Sequence, residues 1–343
     1  MTFLIQQTLL YAVPLMIVAL AGVFAERSGI INLALEGIMI FGAFVGVWFV
    51  QMMQEVDVFI IASRTGDWMT LQLLALAAMV VAAILGAVFS LLLSFASINL
   101  KADQTIGGTA LNLLAPALVL FLVRMIANQN TLRMTTGDAA SWFMIKKTTL
   151  GFEKNADLGF LGEIFLHKVY LATYVCIFLY VVLSVILYKT RFGLRLRACG
   201  ENPQAAASLG ISVYKMRYAG VAISGALGGI GGFTFALTTA NCASTGDVAG
   251  FGFLALAVMI FGNWKPLNTA GAALLFGLCK CIAAAYSTID LNGDGQYLLK
   301  DIGVDPNIYR MLPFVITLVV LSFTAGKSRA PKAEGIPYDK GTR

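Results

Sequence analysis

Charge is scarce in this chain. Of 343 residues, 12% are Asp, Glu, Lys or Arg and 59% are hydrophobic, whereas soluble domains carry about 25% charged residues. With a mean hydropathy of +0.82, a soluble globular domain is excluded, because no polar segment is long enough to bury a core of its own. There is one histidine, His167, which excludes a multi-histidine metal centre. The five cysteines (Cys176, Cys199, Cys242, Cys279 and Cys281) lack the spacing of a ligand set, and small buried residues are the simpler reading. Walker A, H-E-x-x-H and nucleophile-elbow motifs are missing too. No catalytic constellation is expected, and any ATP that drives the protein must be bound by another chain. The first apolar run is longer than a signal peptide's and lacks a basic leader, so it is expected to be retained. The net charge of +6 calls for no nucleic acid, since basic residues of membrane proteins gather in cytoplasmic loops.

What is abundant is apolar sequence in runs of membrane-spanning length. Such runs lie at about 3–24, 31–52, 71–98, 106–126, 169–188, 217–238, 250–263, 267–286 and 309–325, with 250–263 short for a crossing. The expected fold is therefore all-α: a polytopic transmembrane bundle of about nine spans, forming one domain over 1–325 with a tail at 326–343. Lys189, Arg191, Arg195, Arg197, Lys215 and Arg217 crowd the 189–218 loop, and Lys327, Arg329, Lys332, Lys340 and Arg343 the tail. Both are expected in the cytoplasm. Four intervening spans put the acidic 287–308 loop outside, and counting back puts 53–70, 127–168 and the N-terminus outside too. The segments beginning Gly29-Ile-Ile-Asn and Gly220-Val-Ala-Ile each open a half with small residues, a weak sign of two related halves.

The 189–216 segment is a polar island between spans. Asn202-Pro203 fits a helix cap followed by a first-turn proline. Gln204, Ala205, Ala206, Ala207, Ser208 and Leu209 form helix readily, and Gly210 fits a left-handed stop. The reading is a helix of about two turns that a soluble partner grips; the alternative is a loop resting on lipid headgroups, although the helix has no large apolar face to insert.

The stretch FGLRLRACGENPQAAASLGI resembles the coupling segment of ABC importer permeases of the ribose/branched-chain amino acid class. Glu26-Arg-Ser-Gly-Ile-Ile-Asn-Leu-Ala-Leu-Glu-Gly37, Gly107-Gly-Thr-Ala-Leu-Asn-Leu-Leu114 and Gly250-Phe-Gly-Phe-Leu-Ala-Leu-Ala257 resemble the same class, in the expected order. The opening and the tail RAPKAEGIPYDKG look most like its nucleoside-import branch. The resemblance implies a bacterial inner-membrane subunit that imports nucleosides and docks a cytoplasmic ATPase through Gly200, Glu201, Asn202, Pro203, Gln204, Ala205, Ala206, Ala207, Leu209 and Gly210. It also implies a second, related permease, an extracellular substrate-binding protein, and ATP with Mg²⁺ on the partner subunit. A sugar or riboflavin permease is the nearest alternative. An ion-coupled secondary transporter is another, disfavoured because acids within the spans are few.

Polar residues inside spans are expensive and often functional. Asn32 and Glu36 stand one helical turn apart, sharing a face, as gate or structural contact. Thr105, Thr109 and Asn112 form a second stripe, suited either to a polyhydroxylated ligand or to bonding between helices. Lys280 either pairs with an acid or snorkels. Gly225-x-x-x-Gly229 and Gly228-x-x-x-Gly232 permit close helix crossing. Outside the spans, Asp290, Asn292, Asp294 and Asp301 have the spacing of a calcium loop, with Gly295 at the sharp turn. The alternative there is an acidic hairpin.

Overall fold

The computed structural model describes residues 2–54, 56–65, 67–134, 143–153, 159–286, 305–324 and 330–339. Thirteen helices are described: α1 (Thr2–Arg27), α2 (Leu35–Met53), α3 (Asp57–Thr65), α4 (Trp68–Ser94, continued by a π-turn over Phe95–Asn99), α5 (Gln104–Ala127), α6 (Gly159–Leu166) and α7 (Leu171–Lys189), then α8 (Arg191–Glu201), α9 (Pro203–Ser208), α10 (Val213–Thr238), α11 (Phe251–Phe261), α12 (Pro266–Ala285) and α13 (Pro306–Thr324). Two antiparallel pairs of two-residue strands complete the fold: β1 (Leu132–Arg133) with β4 (Ala243–Ser244), and β2 (Met144–Ile145) with β3 (Val169–Tyr170).

Seven of the described helices are long and apolar enough to cross a membrane: α1, α2, α4, α5, α7, α10 and α12. The 250–263 run does not form a full span. Its helix α11 has 11 residues, about 16 Å at 1.5 Å per residue, half of the hydrocarbon layer's roughly 30 Å. The preceding stretch, 239–250, has no helix.

The most apolar windows of α1 and α10 are 78% and 83% buried, against 22% for α5 and 28% for α7. The first two are thus the axis of the bundle and the others its rim. Small residues are the cause. A Cβ on Gly229 would fall 2.1 Å from the carbonyl oxygen of Ala82 on α4, so only glycine lets the two backbones meet there. The glycine-rich face of α10 therefore packs within this bundle, against α1, α2 and α4. Leu15, Ile17, Leu20, Phe24, Phe44 and Phe233 of these helices, with Phe276 of α12, are fully buried. All five cysteines are buried thiols.

Candidate functional site

The chain breaks twice inside the bundle, and the two breaks meet. Residues 28–34 lie between α1 and α2 without helical structure, and 239–250 lie between α10 and α11. Broken helices leave backbone groups that need partners, because lipid supplies none. At the start of 28–34 the Ser28, Gly29 and Ile30 amides bond back to the carbonyls of Ala25 and Glu26; further along the partners are side chains. Asn32 Nδ2 donates to Ser224 Oγ at 2.8 Å, while its Oδ1 accepts from the Ala34 amide at 3.1 Å. Gln104 Oε1 accepts from the Ile31 amide at 2.7 Å. Asn112 donates to the Leu33 carbonyl at 2.7 Å and accepts from the Gly37 amide at 2.8 Å.

Glu36 closes the junction. Its Oε1 accepts from the Gly250 amide at 3.0 Å, and its Oε2 from Gly252 at 2.6 Å and Phe253 at 3.2 Å. Glu36 lies in the first turn of α2, and the three donors open α11, so one carboxylate serves the positive ends of two helices. Gly252 permits the approach: a Cβ there would lie 2.4 Å from the Glu36 Cα.

This geometry revises the sequence-based expectations. Asn32 and Glu36 do not share a helix face, because the helix starts only at Leu35; each is buried and bonds to a different neighbour. The α5 stripe divides. Asn112 grips the first break, but Thr105 and Thr109 are exposed, and the Thr109 hydroxyl bonds back to the carbonyls of Thr105 and Ile106 at 3.0 and 2.9 Å. Lys280 forms no ion pair among the described residues; it donates to the Ala249 carbonyl at 3.1 Å. Asp290, Asn292, Asp294 and Asp301 lie outside the described residues.

A second assembly sits at the end of the bundle where α1 finishes and α10 begins. Helix α9 forms as its sequence predicts. Asn202 Oδ1 accepts from the Ala205 amide at 3.0 Å with Pro203 in the first turn, and Gly210 is left-handed at φ +79°. Pro203 and Ala206 face inward, whereas Gln204, Ala205, Ser208 and Leu209 are exposed, Leu209 by 81%. Gly200 is buried against the Arg27 backbone, and Glu201 pairs with Arg27 at 3.3 Å. Helix α8, capped by Thr190 Oγ1 on the Gly193 amide at 3.2 Å, was not foreseen as a separate helix.

Residues 330–339 strap this end, which the sequence did not reveal. The Ala333 amide donates to the Gly200 carbonyl at 2.9 Å. Arg217, fully buried at the start of α10, donates through Nη1 to the Ile336 carbonyl at 2.9 Å. Tyr338 packs edge-on to Tyr214, ring centroids 5.3 Å apart, and joins Cys199, Ala206 and Val213 in a small apolar cluster. Asp339 pairs with Lys101 at 2.7 Å. Beneath the strap, Glu334 faces Glu26, whose carboxylate accepts from the Trp264 indole. Burial pushes the Glu334 carboxyl up to about 7, with Arg27 partly countering the shift. The signal that could have located the strap is Tyr338, an aromatic in an otherwise polar tail.

The family described as branched-chain amino acid transport system, permease component, matches residues 4–321. The guanosine ABC transporter permease protein NupQ of Bacillus subtilis is 40% identical over 345 residues, covering 100% of this chain and 98% of the relative. The nucleoside ABC transporter permease proteins NupC and NupB of Lactococcus lactis are 37% and 23% identical, covering 98% and 99% of this chain and 96% and 85% of the relatives. No solved structure matches. With a multi-helix membrane bundle, two interrupted helices and a match along nearly its whole length, the chain belongs to the permease-component family of ABC transport systems of the branched-chain amino acid type.

Proposed function

We propose that this chain is one of two permease subunits of an ABC importer that brings nucleosides into a bacterial cell, and that a separate ATPase supplies the energy. The observation that carries the substrate class is the 40% identity, over all of the chain, to a permease named for guanosine. Two permeases named for nucleosides from one organism both match, which supports a related but different second permease. An extracellular binding protein completes the assembly.

In this reading the strapped end is cytoplasmic, consistent with Arg191, Arg195, Arg197, Lys215 and Lys332 gathering there. Helix α13 adds a crossing, and α11 with the non-helical 239–250 stretch completes another, giving nine in all. Single-domain organisation over 1–325 and two related halves belong to the same proposal. Helix α9 is the coupling helix, presenting Gln204, Ala205, Ser208 and Leu209 to the ATPase. ATP-driven closure of the ATPases displaces α9, and two links carry the displacement inward: Gly200 against Arg27, and the strap against Ile31. Both lead to the 28–34 break, hence to Glu36 and the start of α11. Opening and closing of the path then follow the position of the short helix α11 relative to α2, the kind of device that broken helices give transporters, and differential affinity of the two states for ATP supplies the free energy.

The test is reconstitution of both permeases, the ATPase and the binding protein in liposomes, with uptake of labelled guanosine measured with and without ATP. ATP-dependent uptake that unlabelled nucleosides compete away, and ribose and glucose do not, is expected. Uptake displaced only by a sugar would overturn the nucleoside reading.

A further inference from the structure

Lys280 has no part in the mechanism above. Counted from Pro266 at 1.5 Å per residue, it is about 21 Å along α12, inside a hydrocarbon layer of roughly 30 Å. A lysine at that depth faces protein or water rather than lipid. Its ammonium group stands 5.0 Å from the centroid of the Phe251 ring and 5.7 Å from that of Phe314. Glu36 and Asp247 supply opposite charge nearby. Lys280, Phe251 and Phe314 line, with Tyr11, Phe235, Thr239 and Arg310, a cavity of about 440 Å³, within the size range of small-molecule sites.

The two rings beside Lys280 differ. Phe251 is buried and fixed, 4.7 Å from Phe235 and 6.3 Å from Tyr11, centroid to centroid. Phe314 is 56% exposed and keeps a ring face for a ligand. The charged groups on the wall, the Lys280 ammonium and the Arg310 guanidinium, are hydrogen-bond donors with no acceptor capacity. The Ala249 carbonyl takes one Lys280 proton and leaves others to give. A ring face for stacking beside cationic donors, of which Lys280 is held by the Ala249 carbonyl, suits a flat heterocycle that carries acceptor atoms. The cavity also adjoins the junction: Phe251 opens α11, where Glu36 is bound.

We propose that this cavity is a binding station on the transport path, in which a nucleobase stacks on Phe314 and Lys280 donates to a ring carbonyl oxygen. It rests on the nucleoside reading and narrows it: bases with a ring carbonyl are held more tightly here than bases without one.

The test compares guanosine with 2-aminopurine riboside, which has C–H in place of the ring carbonyl and, as a consequence, no proton on N1, in the reconstituted complex. Losing one hydrogen bond from a charged donor is worth about tenfold. Lys280→Met is therefore expected to lower guanosine uptake about tenfold and to leave 2-aminopurine riboside uptake within about twofold. An equal effect on both substrates, or none on either, overturns the station. A second measurement leaves Lys280 and Phe314 in place: Ala284→Cys, on the wall of the same cavity, labelled with a maleimide. Guanosine is expected to slow the labelling and ribose is not; labelling unaffected by guanosine also overturns the proposal. A wild-type complex that carries no nucleoside defeats the nucleoside reading itself, whereas one that carries guanosine regardless of Lys280 defeats only the station.

Discussion

The Oε2 atom of Glu36, in the first turn of α2, lies 2.6 Å from the amide nitrogen of Gly252, in the first turn of α11. Three backbone donors converge on this carboxylate. Glu36→Gln keeps the shape but replaces one acceptor oxygen with a donor, setting an NH₂ group against backbone N–H. Hydrogen bonds to charged groups contribute about 1.5–3 kcal/mol each, so the variant is expected to melt at lower temperature in detergent and to lose most of its uptake. Uptake and melting equal to wild type would reduce Glu36 to ordinary packing.

Backbone contact between α10 and α4 makes a sharp comparison. A methyl group on Gly229 would overlap the Ala82 carbonyl, while one on Gly271 meets nothing within 4 Å. Gly229→Ala is expected to cost about 1–3 kcal/mol from overpacking. Gly271→Ala is expected to be neutral or slightly stabilising, since alanine favours helix. Detergent melting curves of the two variants decide the matter, and equal midpoints would contradict the packing described.

Helix α9 has an inner and an outer face, and the two should fail differently. Leu209→Asp leaves the subunit intact but is expected to weaken ATPase co-purification and substrate-stimulated hydrolysis. Ala206→Glu places a charge where 3% of the side chain is exposed, against Cys199, Val213 and Tyr338. It is expected to loosen the strap first, raising amide exchange at Ala333 and Ile336. If Ala206→Glu impairs ATPase binding while that exchange stays slow, the assignment of faces is wrong.

Strap docking should depend on pH. Docked, Glu334 titrates at about 7, raised from 4.5 by burial; released, it reverts to the lower value. The docked form therefore holds more protons between those values, so Glu334 favours docking most below about pH 4.5 and progressively less as pH rises toward 7. Hydrogen exchange at Ala333 and Ile336 from pH 5 to 8, corrected for intrinsic rates, is expected to follow that curve. Glu334→Gln is expected to flatten it, and a variant that retains the full slope would acquit Glu334.

Much of this architecture could be read from sequence because bilayer crossing imposes long apolar runs, and because Asn202, Pro203 and Gly210 each have a strong local preference that the structure obeys. What escaped were the interruptions. The apolar 31–52 run looks the same whether it is helical from its start or, as here, only from Leu35, and helical spacing wrongly paired Asn32 with Glu36. The receptor for Glu36 was backbone N–H more than 200 residues away, which no side-chain pattern encodes. The strap escaped for a similar reason: its bonds run from backbone atoms of Ala333 and Ile336 to groups far away in the chain.

The strap also has a consequence in time. Residues 330–339 follow every described helix, so they leave the ribosome after all of them. Until then Gly200, Arg217 and Ala206 lack the partners that fix α8 and α9 in place. The surface around Leu209 is thus completed only after all the described helices have been synthesised.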